Sequence, residues 1–280
     1  MTLSLWTRHH HSNQGPYGHE RKGWGRALES AGRWMADILL PHRCYHCGVV
    51  VGNRGLCASC WSNVFFIHAS CPCCGQAYEV TPSSDDSSLC LACQAMRPLW
   101  RRARSVFFYR GVGRQLILSY KYGNRLDASA YYGTLLFHAL TPSMRSCDVL
   151  MAVPSHWTRH VWRSYNQAYT LACALNRHLR KELVVGGLVR VKATRKQKAS
   201  MAYAQRHKRQ QAFLERYDNV KDAFRLTPAT KKMIKGQSVL LVDDLLTSGA
   251  TVDACTHTLM MGGAHAVDVV TLARTGTTLL

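Results

Sequence analysis

Eight cysteines stand in four pairs, each with a two-residue gap: Cys44 and Cys47, Cys57 and Cys60, Cys71 and Cys74, Cys90 and Cys93. Such a pair puts two thiolates on one tight knuckle, and two knuckles complete a tetrahedral four-thiolate shell for Zn2+. Gly48 and Gly75 directly follow the second cysteine of a knuckle, where the chain must turn sharply and a side chain would be costly. A redox-active pair is the competing chemistry. Redox pairs occur singly beside a strand and a helix, not four times in one short segment. The spacing therefore implies two zinc sites. Closed four-thiolate sites leave no position for substrate or water, so their role is structural. Cys73, between Cys71 and Cys74, is a ninth thiol that could replace Cys71, but the two-residue gap favours Cys71. Spacing leaves sequential and interleaved pairing of the knuckles both open; sequential pairing is the expectation.

The second chemical segment is Val239-Leu-Leu-Val242-Asp243-Asp244-Leu245-Leu246-Thr247-Ser248-Gly249-Ala250-Thr251. It reads as a buried strand ending at two acids, a small hydroxylic loop, then a helix. That order presents loop and first-turn N–H groups, with the hydroxyls of Thr247, Ser248 and Thr251, to a phosphate at a helix N-terminus. Asp243 and Asp244 would repel the phosphate itself. They suit the hydroxyls of a sugar or a cation, and helix capping is the plainer alternative.

Elements of alternating type must carry these groups. Val106 to Tyr109 reads as a strand, Gly111 and Gly113 as a turn, Arg114 to Tyr122 and Leu126 to Leu140 as helices. Val149 to Val153 is a short apolar run of the kind buried on both faces of a parallel sheet. Asn166 to Leu179 follows as helix, Val239 to Val242 as strand, Thr251 to Met261 as helix and Ala266 to Ala273 as strand. The implied fold is α/β, a parallel sheet with flanking helices, preceded by the small cysteine module. The expected organisation is a tail over residues 1–25, an amphipathic helix and the cysteine module over 26–98, and the α/β domain over 99–280. Because the apolar strands lie outside the cysteine cluster, the module would be expected to unfold alone on metal loss. Arg190 to Arg225 gives little strand signal and reads as exposed loop and helix.

The segment from Asp243 to Thr251 resembles the phosphoribosyl-pyrophosphate (PRPP) motif of type I phosphoribosyltransferases. Together with the cysteine pairs, Val153-Pro154-Ser155-His156, Arg159, Arg163, Tyr165 to Ala168 and Tyr120 to Gly123, it is similar to the ComF family, in which a double zinc ribbon is joined to a phosphoribosyltransferase domain. Arg190, Thr194, Gln197, Arg216, Asn219-Val220 and Ala223-Phe224 resemble that family's second signature. The resemblance implies PRPP, or a related phosphoribosyl ligand, bound with Mg2+. Asp243 and Asp244 would hold the ribose hydroxyls, and Leu245, Leu246, Thr247, Ser248, Gly249, Ala250 and Thr251 the 5′-phosphate loop. Ser155, His156, Arg159, Arg163 and Lys121 would meet pyrophosphate. In purine-salvage members the position of Thr247 is an acid acting as general base, so Thr247 argues against purine salvage. Ser164 stands where glycine is usual, and the stretch between Gln197 and Arg216 is longer than the family pattern. The resemblance also implies a competence role, with single-stranded DNA and a competence helicase or related DNA-processing proteins as partners. A non-catalytic DNA-binding adaptor is the alternative function.

Charge bears on the same choice. Lys and Arg total 36 against 16 Asp and Glu, a net charge of +20, which favours a polyanionic partner. Arg190 to Arg216 concentrates it, with Lys192, Arg195, Lys196, Lys198, Arg206, Lys208 and Arg209 against the single acid Glu215. The composition excludes a fibre and a wholly disordered chain. Without an apolar run of membrane length or a leader-like start, a cytoplasmic location is expected.

Overall fold

The computed structural model describes residues 41–78, 89–123, 125–154, 166–191 and 223–276. The tail, the helix expected over Arg26 to Leu40, and residues 155–165 and 192–222 lie outside them. Arg43–Leu280 forms one compact unit.

The cysteine module comes first. Its two halves repeat one plan, each opening on a knuckle turn whose glycine has positive φ (Gly48 at +77°, Gly75 at +72°). The glycine N–H closes onto the carbonyl of the first cysteine, Gly48 to Cys44 and Gly75 to Cys71. A one-turn helix follows the third cysteine of each half: α1 (Ala58–Ser62) and α2 (Leu91–Ala95).

A five-stranded parallel sheet then forms from β1 (Arg102–Phe108), β2 (Val149–Ala152), β3 (Glu182–Val184), β6 (Ser238–Leu246) and β7 (Ala266–Arg274), in the order β1-β7-β6-β2-β3. A separate antiparallel pair, β4 (Leu188–Arg190) and β5 (Phe224–Leu226), overlaps the two ends of the Arg190 to Arg225 stretch, whose interior lies outside the described residues. The helices are α3 (Gly111–Tyr122), α4 (Ser129–Ala139), α5 (Pro142–Arg145), α6 (Gln167–Leu179), α7 (Pro228–Met233) and α8 (Ala250–Met261). Among the described residues no helix is long and apolar enough to cross a membrane.

Strand alternation divides the interior into two cores. Val149, Met151, Val239, Leu241, Val267 and Val269 face one side, with Val252, Cys255 and Leu259 of α8. Leu150, Leu240, Val242, Val270 and Leu272 face the other, with Leu116, Ile117 and Tyr120 of α3, Tyr132 and Leu136 of α4, and Leu171 and Leu175 of α6. The cysteine module belongs to both. Cys71, Cys73, Cys74 and Cys93 of its second half are buried in the α8 core; Tyr45 and Val64 of its first half are buried in the other. Between the halves the chain runs along the free edge of β1. The Ile67 N–H donates to the Val106 carbonyl at 2.9 Å, and the Phe108 N–H to the Phe65 carbonyl at 2.9 Å. The module thus straddles the sheet and closes its edge.

Several boundaries differ from the expectation. β1, read as Val106 to Tyr109, runs from Arg102 to Phe108, and the helix read from Leu126 begins at Ser129 after a short 3-10 turn. Gly111 and Gly113 open α3 rather than forming a turn before it; a Cβ on Gly113 would stand 2.7 Å from the Phe108 carbonyl oxygen and 2.9 Å from the Phe107 ring. β6 runs on through both acids to Leu246, because Asp243, Leu245 and Leu246 stay in register with Thr271, Ala273 and Arg274 of β7.

Candidate functional site

The thiols of Cys44, Cys47, Cys57 and Cys60 lie within 4.8 Å of one another, as do those of Cys71, Cys74, Cys90 and Cys93. The grouping is sequential, and Cys73 lies outside both sets. A tetrahedron with Zn–S near 2.3 Å has edges of about 3.8 Å; the Cys47 and Cys57 sulfurs are 3.7 Å apart, and those of Cys74 and Cys90 3.6 Å. Backbone donors also repeat. The N–H of the third cysteine points at the first sulfur, Cys57 to Cys44 at 3.3 Å and Cys90 to Cys71 at 3.4 Å. Such N–H groups stabilise thiolates, so the donor set fits Zn2+ twice.

The second site lies at the carboxyl ends of β2 and β6. The crossover after β6 runs through α8 on one face of the sheet, and that after β2 through α6 on the other. The two loops therefore diverge and open a crevice between neighbouring strands, the usual ligand position of an open parallel sheet. Asp243 and Asp244, adjacent on β6, face opposite sides of it. The Asp243 carboxylate accepts the N–H of Asp244 at 2.8 Å. Asp244 is 8% exposed and takes Nζ of Lys121, at the end of α3, at 2.8 Å from Oδ1. A buried carboxylate is costly without a partner, and the Lys121 ammonium is that partner. The Lys121 carbonyl in turn accepts the Gln167 side-chain amide at 3.3 Å, joining α3 to the start of α6.

Beyond the acids, the side chain of Leu246 is buried in the α8 core and Leu245 packs against the other, so only their backbone faces the crevice. Thr247 and Ser248 are exposed. Gly249, at φ +85°, caps α8 and has no side chain to accept from its first N–H groups, which are directed at the loop. Asp253, in the first turn, is not such an acceptor. Its buried carboxyl, pushed above the usual range by burial, takes the Leu99 N–H at 2.7 Å. The strand β2 brings the chain to Val153, whose N–H donates to the Val242 carbonyl at 2.9 Å beside the acids. Ser155, His156, Arg159 and Arg163 follow outside the described residues. Arg190 ends β4 with its guanidinium 5.5 Å over the Phe224 ring.

The structure thus gathers Asp243, Asp244, Lys121 and the 247–251 loop in one place. Sequence reasoning gave Lys121 a pyrophosphate role and missed its bond to Asp244. It also missed Trp100, which lies against Gly249: a Cβ on that glycine would stand 2.6 Å from the indole ring. No local spacing signals either contact.

Comparison with known proteins bears on the two parts of the chain. Residues 35–96 match a double zinc ribbon domain and residues 166–280 a phosphoribosyl transferase domain. The chain is 29% identical over 245 residues to the DNA utilization protein YhgH of Escherichia coli K12, covering 85% of this chain and 99% of that one. It is 27% identical over 239 residues to Competence protein F of Haemophilus influenzae, covering 83% and 96%. A solved structure described as the allosteric regulatory enzyme of purine biosynthesis aligns at 18% identity and a TM-score of 0.35; the match spans 55% of this chain and only 30% of that one.

Proposed function

We propose that this chain, which joins a double zinc ribbon to a phosphoribosyl transferase domain and is similar to a DNA utilization protein and a competence protein, is a ComF-family protein that binds PRPP or a related phosphoribosyl ligand. The observation that carries this is the acid pair at the topological switch, one strand-end away from a hydroxylic loop and an uncapped helix start.

In this reading Asp243 and Asp244 accept the ribose hydroxyls. The 5′-phosphate lies on the N–H groups after Thr247, with the hydroxyls of Thr247, Ser248 and Thr251. Lys121 holds the buried Asp244 carboxylate in place and brings an ammonium to the rim of the site. Pyrophosphate extends toward Ser155, His156, Arg159 and Arg163, whose guanidiniums suit bidentate contact. Mg2+ supplies charge neutralisation on the pyrophosphate. Asp244 is a poor ligand for it, since that carboxylate already holds an ammonium. If transfer to an acceptor takes place, the arginines stabilise the charge gathering on the departing pyrophosphate. Titration calorimetry with PRPP and Mg2+, alone and with nucleobases, tests the reading. A binding isotherm is expected; no heat with any phosphoribosyl compound would sink it.

A role with single-stranded DNA is the second reading, favoured by the charge of +20 and by the relatives' names, a DNA utilization protein and a competence protein. The basic stretch from Arg190 to Arg216 would contact the backbone. Affinity should then rise with oligonucleotide length and fall steeply between about 50 and 200 mM salt as counterions are released. Replacing Lys196, Lys198, Lys208 and Arg209 by Gln should flatten that salt dependence. Affinity independent of length, or unaltered by these replacements, would assign the charge to the ligand's phosphates.

A further inference from the structure

We propose that Trp100 is a strut between the second cysteine cluster and the 247–249 loop, a positioning residue through which the zinc ribbon sets the shape of the phosphate site. The inference rests on the reading of that loop given above.

The segment that leaves the second ribbon touches the start of α8 twice. The Leu99 N–H donates to Asp253 in the first helical turn at 2.7 Å. The next residue, Trp100, is 5% exposed and lies edge-on to Gly249, with no room between them for a methyl group. Its other end is fixed as well. The indole Nε1–H donates to the carbonyl of Cys73 at 3.1 Å. Cys73 lies inside the knuckle whose thiols, Cys71 and Cys74, belong to the second cluster. A rigid planar ring therefore spans from the knuckle backbone to the glycine that caps α8. A movement of the knuckle carries the Cys73 carbonyl, and the ring that is hydrogen-bonded to it and in contact with Gly249 is carried along.

A second connection runs in parallel. Arg274, at the end of β7, donates from its guanidinium to the Cys74 carbonyl and, at 3.2 Å, to the Gln76 side chain. Arg274 pairs in register with Leu246, and the next N–H, of Thr275, donates to the Leu246 carbonyl at 3.1 Å. The loop is thus held at Leu246 from one side and at Gly249 from the other, and both holds end on the 71–76 knuckle. Gly249 at φ +85° is the point that yields, because glycine reaches other backbone states at little cost once the ring no longer confines it.

The test compares full-length protein with Trp100→Phe, which keeps an aromatic ring but removes the indole donor, and Trp100→Leu. Amide hydrogen exchange at 248–252 should accelerate about tenfold in Trp100→Phe, the loss of one hydrogen bond, and more in Trp100→Leu. Zinc content and exchange in α6 should stay unchanged. PRPP affinity should fall by a similar factor. A double-mutant cycle isolates the contact. Gly249→Ala should be severe in wild type, where it meets both ring and backbone strain, and milder in Trp100→Leu, where only strain remains. Unchanged exchange at 248–252 in Trp100→Phe, or strictly additive effects in the cycle, would overturn the strut. If the exchange shifts as expected while wild type binds no PRPP, the strut stands and the ligand assignment falls.

Discussion

Removing zinc from the reduced protein should unfold residues 43–276 in one cooperative transition, sheet included. The sequence suggested instead that the cysteine module would melt alone, since the apolar strands lie outside it. The shared cores argue for the opposite outcome. Cys71, Cys74 and Cys93 are buried with Leu241, Val267 and Val269 on the α8 face, while Tyr45 and Val64 are buried on the other. The magnitudes decide the outcome. A structural four-thiolate site contributes about 10–16 kcal/mol of apparent binding free energy, whereas an entire domain is stable by about 5–15 kcal/mol. Losing even one site removes as much as the fold has in reserve. The check is a chelator titration followed by zinc release and far-ultraviolet circular dichroism. About two zinc per chain should come off, and the sheet signal should fall with them. A sheet that survives complete zinc loss would show that the ribbons fold independently.

Asp243→Asn with Asp244→Asn should abolish PRPP binding while the protein stays folded. Each carboxylate would make charge-assisted hydrogen bonds of about 1.5–3 kcal/mol to a ribose hydroxyl, so the double replacement costs roughly 10²- to 10⁴-fold in affinity. Folding should survive because the amides still accept hydrogen bonds. Lys121, left without its carboxylate, keeps 20% of its side chain exposed to water. Calorimetry with PRPP and a thermal melt separate the two effects. An unchanged isotherm would mean that the acids serve the strand end alone.

The parts of this molecule that could be read from sequence are those whose cause is local. The Cys-x2-Cys pairs needed only their spacing, and both clusters form in sequential order. β2, β6 and β7 announced themselves as apolar runs because both faces are covered. The hidden parts depend on distant partners. β3, β4 and β5 are three residues each, too short to show a period. Phe65 to Ile67 lies in a short apolar run of β-branched and aromatic residues, but nothing local says that its partner is the free edge of β1. Asp243 and Asp244 were expected at the end of β6 and lie inside it because β7 continues alongside. Within the site, the acids and the hydroxylic loop were legible as a contiguous motif. The Lys121 bond spans from α3 and the Trp100 contact from the ribbon, and neither leaves a local trace.

The position of β1 sets an order of events during synthesis. It is made early, yet its sheet neighbour β7 is the last strand among the described residues. The ribosome must still add everything from Phe108 to Arg274, which at about 5–20 residues per second takes about ten to thirty seconds. For that interval the native partner already at hand for β1 is the 65–67 segment between the two cysteine clusters. Metal captured by the nascent chain would hold that pairing in place, and the rest of the sheet would then be laid against a β1 whose outer edge is already closed.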